Sequence, residues 1–272
     1  MADTPQIVPT LIFDCDGVIA DTEQFGHLPA FNQTFEEFGV PVQWTVDEYA
    51  QKVLIGGGKE RMRSILTDEL SQQLGLTSED AKDEAILAWH KRKTAIYTEL
   101  VDKGVMPARP GIFRVVQEAH LAGWGLAVAY TALEPEVRAV LTHAVGVGLA
   151  AMFSIFASDM VLAKKPAPDI YLLILDDLGL EPGEAIVVED SANGLRAAVG
   201  AGLRTVVTIS GFSRGEDLTG ASLVVSSLGD PGEDDEPAKV LDNPFGIELG
   251  SAVTLQTFRQ ILDLPGPASP LG

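Results

Sequence analysis

Two aspartates stand two residues apart in LIFDCDGVIADTE, Leu11 to Glu23: Asp14 and Asp16, directly behind an apolar run and just before Gly17. In an extended chain, residues i and i+2 face the same side. Two carboxylates so placed oppose each other's ionisation unless a positive charge lies between them. Further polar groups sit at comparable places. Tyr130 and Thr131 follow GLAVA, Lys165 lies between Lys164 and Pro166, and Glu189, Asp190 and Ser191 close the run AIVV. Four carboxylates in one cleft call for a cation, and an all-oxygen set suits Mg²⁺, which keeps several waters and is shared with substrate phosphate. Such an ion and Lys165 would neutralise phosphoryl oxygens as charge shifts during transfer. One carboxylate would then attack phosphorus to form an aspartyl-phosphate, while another gives a proton to the leaving oxygen and later takes one from water.

These groups meet only if the elements that carry them lie side by side. After residue 107, helix-like segments alternate with short apolar runs at 125–129, 153–158, 185–190, 204–209 and 222–227. That rhythm argues for βαβ units and a parallel sheet, with Thr10–Phe13 as a further buried strand. Ligands of such sheets bind beyond the carboxyl ends of the strands, where Asp14, Thr131 and the Glu189-Asp190 pair all fall. Residues 23–103 differ. FNQTFEEFG, KERMRSILTDELSQQLG and SEDAKDEAILAWHKRKTAIYTEL have helical spacing, and Ser78-Glu79-Asp80 supplies a cap for the last. The expected fold is therefore α/β: a doubly wound, Rossmann-like parallel sheet core built from 1–22 and 104–272, with an inserted helical cap domain at 23–103. Residues 229–248, rich in Gly, Pro and acids, read as an exposed loop or tail. LQTFRQIL (255–262) reads as a short closing helix.

Composition removes other functions. Asp plus Glu number 39 against 19 Lys plus Arg, a net charge of −20, which disfavours nucleic acid and anionic membranes as partners. Cys15 is the single cysteine, so no intrachain disulfide forms, in keeping with a reducing compartment. The start MADTPQIVPT lacks the basic and apolar stretches of a secretory signal, and no apolar run reaches the ~18 residues of a membrane span. A cytoplasmic protein is expected. GGGKE (56–60) is no phosphate-binding P-loop, because that pattern needs Gly where Val53 stands and Ser or Thr where Glu60 stands.

Phe13-Asp14-Cys15-Asp16-Gly17-Val18, Lys165 within KKPAPDIY, and VVEDSANG (187–194) resemble the first, third and fourth motifs of the haloacid dehalogenase-like phosphatases, in their order and separation. TEQFGHLPAFNQTF, GGGKERM, RPGIFRVV and SLGDP resemble the CbbY-like branch, whose characterised members dephosphorylate xylulose-1,5-bisphosphate. The resemblance implies Asp14 as nucleophile and Asp16 as general acid/base. It also implies Lys165 as the group holding phosphate and nucleophile, and Asp14, Asp16, Glu189 and Asp190 around the Mg²⁺. Glu23, His27, Lys59, Arg61 and Arg109 become candidates for sugar hydroxyls and a second, non-reacting phosphate, as Arg suits phosphate. Lys59 and Arg61 also read as solvated helix charges, and Arg109 as a turn residue. The implied partner is a small-molecule sugar phosphate, the chain itself being a monomer or weak homodimer. Two departures stand out: Tyr130 fills the place of a motif-two Ser or Thr, which leaves Thr131 for the phosphate, and Gly26–Pro29 is one residue longer than the pattern. Pro29 should interrupt or start a helix. A sugar phosphomutase and a non-catalytic phospho-ligand-binding relative share much of this residue set.

Overall fold

The computed structural model describes residues 8–55, 57–130, 134–157, 160–232 and 236–267. Its chain divides into two compact units, Thr22–Met106 and the remainder, 1–21 with 107–272.

Between Thr22 and Met106 every regular element among the described residues is helical. A π-helical turn, Glu23–His27, runs into α1 (Leu28–Glu37), followed by α2 (Val46–Val53), α3 (Gly58–Arg63), α4 (Asp68–Gln73) and α5 (Glu79–Asp102). The segment that reads as one residue longer than the pattern runs through this π turn, a rare helical form that occurs mostly as single turns. Pro29 sits in the first turn of α1, where a missing N–H breaks no helical bond. Gly26 has no room for a side chain, since a Cβ there would lie 2.9 Å from Tyr97 Cε2. The starts of α2, α4 and α5 are set by the hydroxyls of Thr45, Thr67 and Ser78. Thr45 and Glu48 exchange reciprocal bonds at the start of α2, and Ser78 Oγ accepts from Ala81 N at 3.1 Å to begin α5. Phe31, Phe35, Trp44 and Trp89 are buried together, and Arg92 on α5 forks onto Glu37 of α1 at 2.6 and 2.9 Å.

The other unit is built on a seven-stranded sheet. Its strands are β1 (Thr10–Phe13), β2 (Gly125–Tyr130), β3 (Ser154–Ala157), β4 (Ala185–Glu189), β5 (Arg204–Thr208), β6 (Leu223–Val225) and β7 (Val240–Asp242), in the spatial order β3-β2-β1-β4-β5-β6-β7. All pairs are parallel except β6 with β7. The central β1 aligns Phe13 with Val128 on one side and Val188 on the other, so β1 stops one residue before the end of β4 and two before the end of β2. Helices α6 (Ile112–Leu121), α7 (Glu134–Ala150), α8 (Asp169–Leu178), α9 (Ala192–Gly200) and α10 (Leu255–Leu262) cover the sheet. Residues of α8 and α9 share a core with Ile12, Ala127, Ala129 and Val187. Burial on both faces explains why the strands read as unbroken apolar runs rather than alternating ones.

The stretch 229–248 departs from its expectation as a loop or tail. Val240–Asp242 lengthens the sheet by an antiparallel strand, too short to show any alternation. The RPG and SLGDP segments also find each other. Asp230 Oδ2 accepts from Gly111 N at 2.8 Å, and Arg114 donates to the carbonyls of Gly229 and Val253 at 2.7 and 2.9 Å. Gly111 has φ +87° and a Cβ there would strike Leu228 and Gly229, so only glycine fits. Among the described residues no helix is long and apolar enough to cross a membrane.

Candidate active site

Asp14 extends β1 by one rung, its N–H donating to Val188 O at 2.9 Å. Its carboxylate thus emerges where β1 and β4 end. Lys165, on the loop before α8, donates to Asp14 Oδ1 at 2.7 Å, Glu189 Oε1 at 2.6 Å and Ala129 O at 3.3 Å. One ammonium therefore gathers the ends of three adjacent strands. Tyr171 on α8 adds its hydroxyl to Glu189 Oε1 at 2.8 Å. The other oxygen of Glu189 accepts from Asp190 N, Ser191 N and Ser191 Oγ at 3.1–3.4 Å. Ser191 in turn caps α9 by accepting from Gly194 N at 3.1 Å. A Cβ on Gly194 would overlap the Glu189 carboxyl, which is why the fourth motif carries glycine there.

Carboxylate oxygens of Asp14, Glu189 and Asp190 lie within 4.8 Å of one another. Burial pushes Asp14 up to about 7, with Glu189 and Asp16 adding to the rise and Lys165 opposing it. Burial also raises Asp190, followed by the charges of Glu189 and Asp14, against the hydrogen bond from Ser210 and the charge of Arg109. Burial works against the charge on Lys165, yet Asp14 and Glu189 hold its ammonium well above the ordinary lysine range. The cluster thus carries more buried negative charge than Lys165 balances. An all-oxygen donor set short of positive charge fits a hard divalent cation.

The other candidate residues fall in several places. Asp16 lies two residues beyond Asp14; its backbone bridges Ala20, and its carboxylate is not one of the three clustered among the described residues. Tyr130 is buried as the last residue of β2, opposite Ala157, and Thr131 lies outside the described residues. In the helical unit, Tyr49 OH donates to Glu23 Oε2 at 2.5 Å. Arg61 donates to Tyr49 OH at 2.8 Å and stands 3.5 Å from Glu23, so Glu23 and Arg61 belong to one network. His27 is held by Lys93 and Tyr97: Lys93 Nζ is 2.6 Å from His27 Nδ1, and the ring stacks on Tyr97 at 4.1 Å. An ammonium only donates, so Nδ1 accepts. Lys59 is exposed. Arg109 belongs to the sheet unit and bonds main-chain carbonyls. Sequence reasoning missed Tyr49, Lys93, Tyr171 and Ser210. Only Tyr171 carried a signal, its position inside KKPAPDIY.

A parallel sheet whose central strands deliver a lysine-bridged carboxylate cluster defines a class of hydrolases. The model of the haloacid dehalogenase-like hydrolase family matches residues 8–202. The chain belongs to this family and is an enzyme, a phosphatase. Among named relatives, a CBBY-like protein of Arabidopsis thaliana is 42% identical over 229 residues, spanning 82% of this chain and 70% of that protein. Protein CbbY of Cupriavidus necator is 42% identical over 228 residues, covering 82% and 87%. The crystal structure of an Asp-to-Asn variant of CbbY from Rhodobacter sphaeroides in complex with xylulose-1,5-bisphosphate is 37% identical. It superposes with a TM-score of 0.66 over 81% of this chain and 94% of that one.

Proposed function

We propose that this chain is a Mg²⁺-dependent phosphatase of small sugar phosphates, acting on xylulose-1,5-bisphosphate through an aspartyl-phosphate. The single observation that carries the reading is Lys165 held between Asp14 and Glu189, with Asp190 beside them. The likeness to CbbY crystallised with xylulose-1,5-bisphosphate supports the substrate.

In this reading the ammonium of Lys165 opposes the rise that burial imposes on Asp14 and aims its carboxylate, and its charge offsets that of the phosphoryl group. An Asp14 oxygen attacks phosphorus, forming an O–P bond as the bond to the sugar oxygen breaks. Asp16 gives that oxygen a proton. It then takes a proton from the water that attacks the aspartyl-phosphate, which frees phosphate and restores Asp14. Asp14, Asp190 and the backbone carbonyl of Asp16 would hold the Mg²⁺, with Glu189 alongside or acting through water, and a bound Mg²⁺ supplies charge neutralisation at the phosphoryl oxygens. Glu23, His27, Lys59 and Arg61 would meet the sugar and its second phosphate, and Thr131 the reacting one.

The test is phosphate release, with Mg²⁺ and with EDTA, from xylulose-1,5-bisphosphate, ribulose-1,5-bisphosphate and β-glucose-1-phosphate, the last also assayed for glucose-6-phosphate. Mg²⁺-dependent release greatest on the xylulose bisphosphate is expected. Release confined to other phosphates would overturn the substrate but keep the chemistry. Asp14→Asn should retain ligand binding with no turnover; surviving turnover would remove Asp14 as nucleophile.

A further inference from the structure

Arg109 was a candidate for substrate phosphate, yet its guanidinium is turned to the protein itself. Nη1 donates to the carbonyls of Gly17 and Thr208, and Nη2 to those of Ile209 and Ser226 at 2.7 and 2.8 Å. Its own N–H donates to Ile19 O at 3.0 Å. These acceptors have meaning by position. Gly17 directly follows Asp16, and Ile209 directly precedes Ser210. Ser210 is buried, its N–H donates to Ser213 Oγ at 2.9 Å, and its hydroxyl is bonded to the Asp190 carboxylate. Gly17 forms the facing wall: at φ +71°, a Cβ there would strike Asp190 Oδ2 and lie 3.2 Å from Ser210 Cβ. Asp190 therefore occupies a slot between Gly17 and Ser210, and one guanidinium ties both walls together. The planar fork of arginine spans four carbonyls in a way that the compact ammonium of lysine does not.

We propose that Arg109 and Ser210 are positioning residues that set the Asp16–Gly17 turn against Asp190, and that Arg109 is not a ligand of the substrate. This rests on the reading of Asp14 and Asp190 as the Mg²⁺ carboxylates. Partners one step behind metal ligands commonly change metal affinity or activity ~10–100-fold when removed.

The test uses full-length Arg109→Lys and Ser210→Ala proteins with two measurements. The first is Mg²⁺ binding alone, by titration calorimetry on the phosphate-free protein. The second is kcat and KM on xylulose-1,5-bisphosphate and on para-nitrophenyl phosphate. Each variant should bind Mg²⁺ about tenfold more weakly. Each should lower kcat at limiting Mg²⁺ on both substrates, keep KM within about twofold, and recover with excess Mg²⁺. The double variant should lose less than the product of the two single losses, since both act on one slot. If Arg109→Lys fails to fold, Ser210→Ala, which deletes one oxygen, carries the same readouts. Unchanged Mg²⁺ binding in both variants, or a KM rise in Arg109→Lys restricted to the bisphosphate, would overturn the proposal. A wild-type chain that binds no Mg²⁺ would overturn the functional reading along with it, so the two failures are told apart by the wild-type titration.

Discussion

Tyr171 and Glu189 are joined at 2.8 Å through the same carboxylate oxygen that Lys165 reaches at 2.6 Å. The phenol is fully buried, so water cannot take its place. Tyr171→Phe should cost about 2 kcal/mol, the value of a hydrogen bond to a charged acceptor in a buried site. Urea unfolding in EDTA measures it, and an unshifted midpoint would show that the phenol contributes no stability.

Gly194 sets two tendencies against each other. Alanine is the better helix former by ~1 kcal/mol, but its methyl would overlap the Glu189 carboxyl. Overpacking of this kind costs about 1–3 kcal/mol, and here it displaces a partner of Lys165. Gly194→Ala should therefore be less stable than wild type and lose turnover. A variant that is both more stable and fully active would refute this account of the fourth motif.

The raised Asp14 and Asp190 carboxyls give a pH dependence of defined sign. Folded protein without metal keeps protons that unfolded chain releases above the ordinary carboxylate range, near pH 4. Stability in EDTA should fall as pH rises from about 4 toward 7, the folded value for Asp14, by no more than ~1.4 kcal/mol per pH unit for each carboxyl. Mg²⁺ should flatten that slope, stabilising most at neutral pH. Melting temperatures across pH 4.5–7.5, with EDTA and with Mg²⁺, decide it, and parallel curves would exclude a cation among these carboxylates.

Asp230 ties SLGDP to the start of α6 through Gly111 N. Asp230→Ala should cost about 1 kcal/mol, as for a lost helix cap, and leave KM unchanged. A KM effect without a stability loss would move this segment from scaffold to substrate binding.

The catalytic candidates were legible because strand ends leave a local trace: an unbroken apolar run followed at once by a charged residue, as at Phe13-Asp14 and Val188-Glu189. The parallel sheet and the helical insert were legible for a related reason, their contrasting hydrophobic rhythms. Arg109 was read toward phosphate because an arginine beside Pro-Gly gives no hint that its acceptors are main-chain carbonyls, which every residue type carries. Tyr49 and Lys93 meet Glu23 and His27 across 26 and 66 positions, and no local spacing encodes such meetings. The strand Val240–Asp242 escaped because three residues cannot display a period.

The π turn at Glu23–His27 has a bearing on how this unit tolerates length changes. Each residue of an α-helix advances the chain by about 100°, so an uncompensated insertion would swing everything before it around the helix axis. The wider π turn sets the phase at which Glu23 reaches Tyr49 and His27 reaches Lys93. The turn works as a phase corrector. Deleting one residue of this segment would then be no neutral edit: it would demand that the helix tighten, and one of those two polar anchors would rotate off its partner.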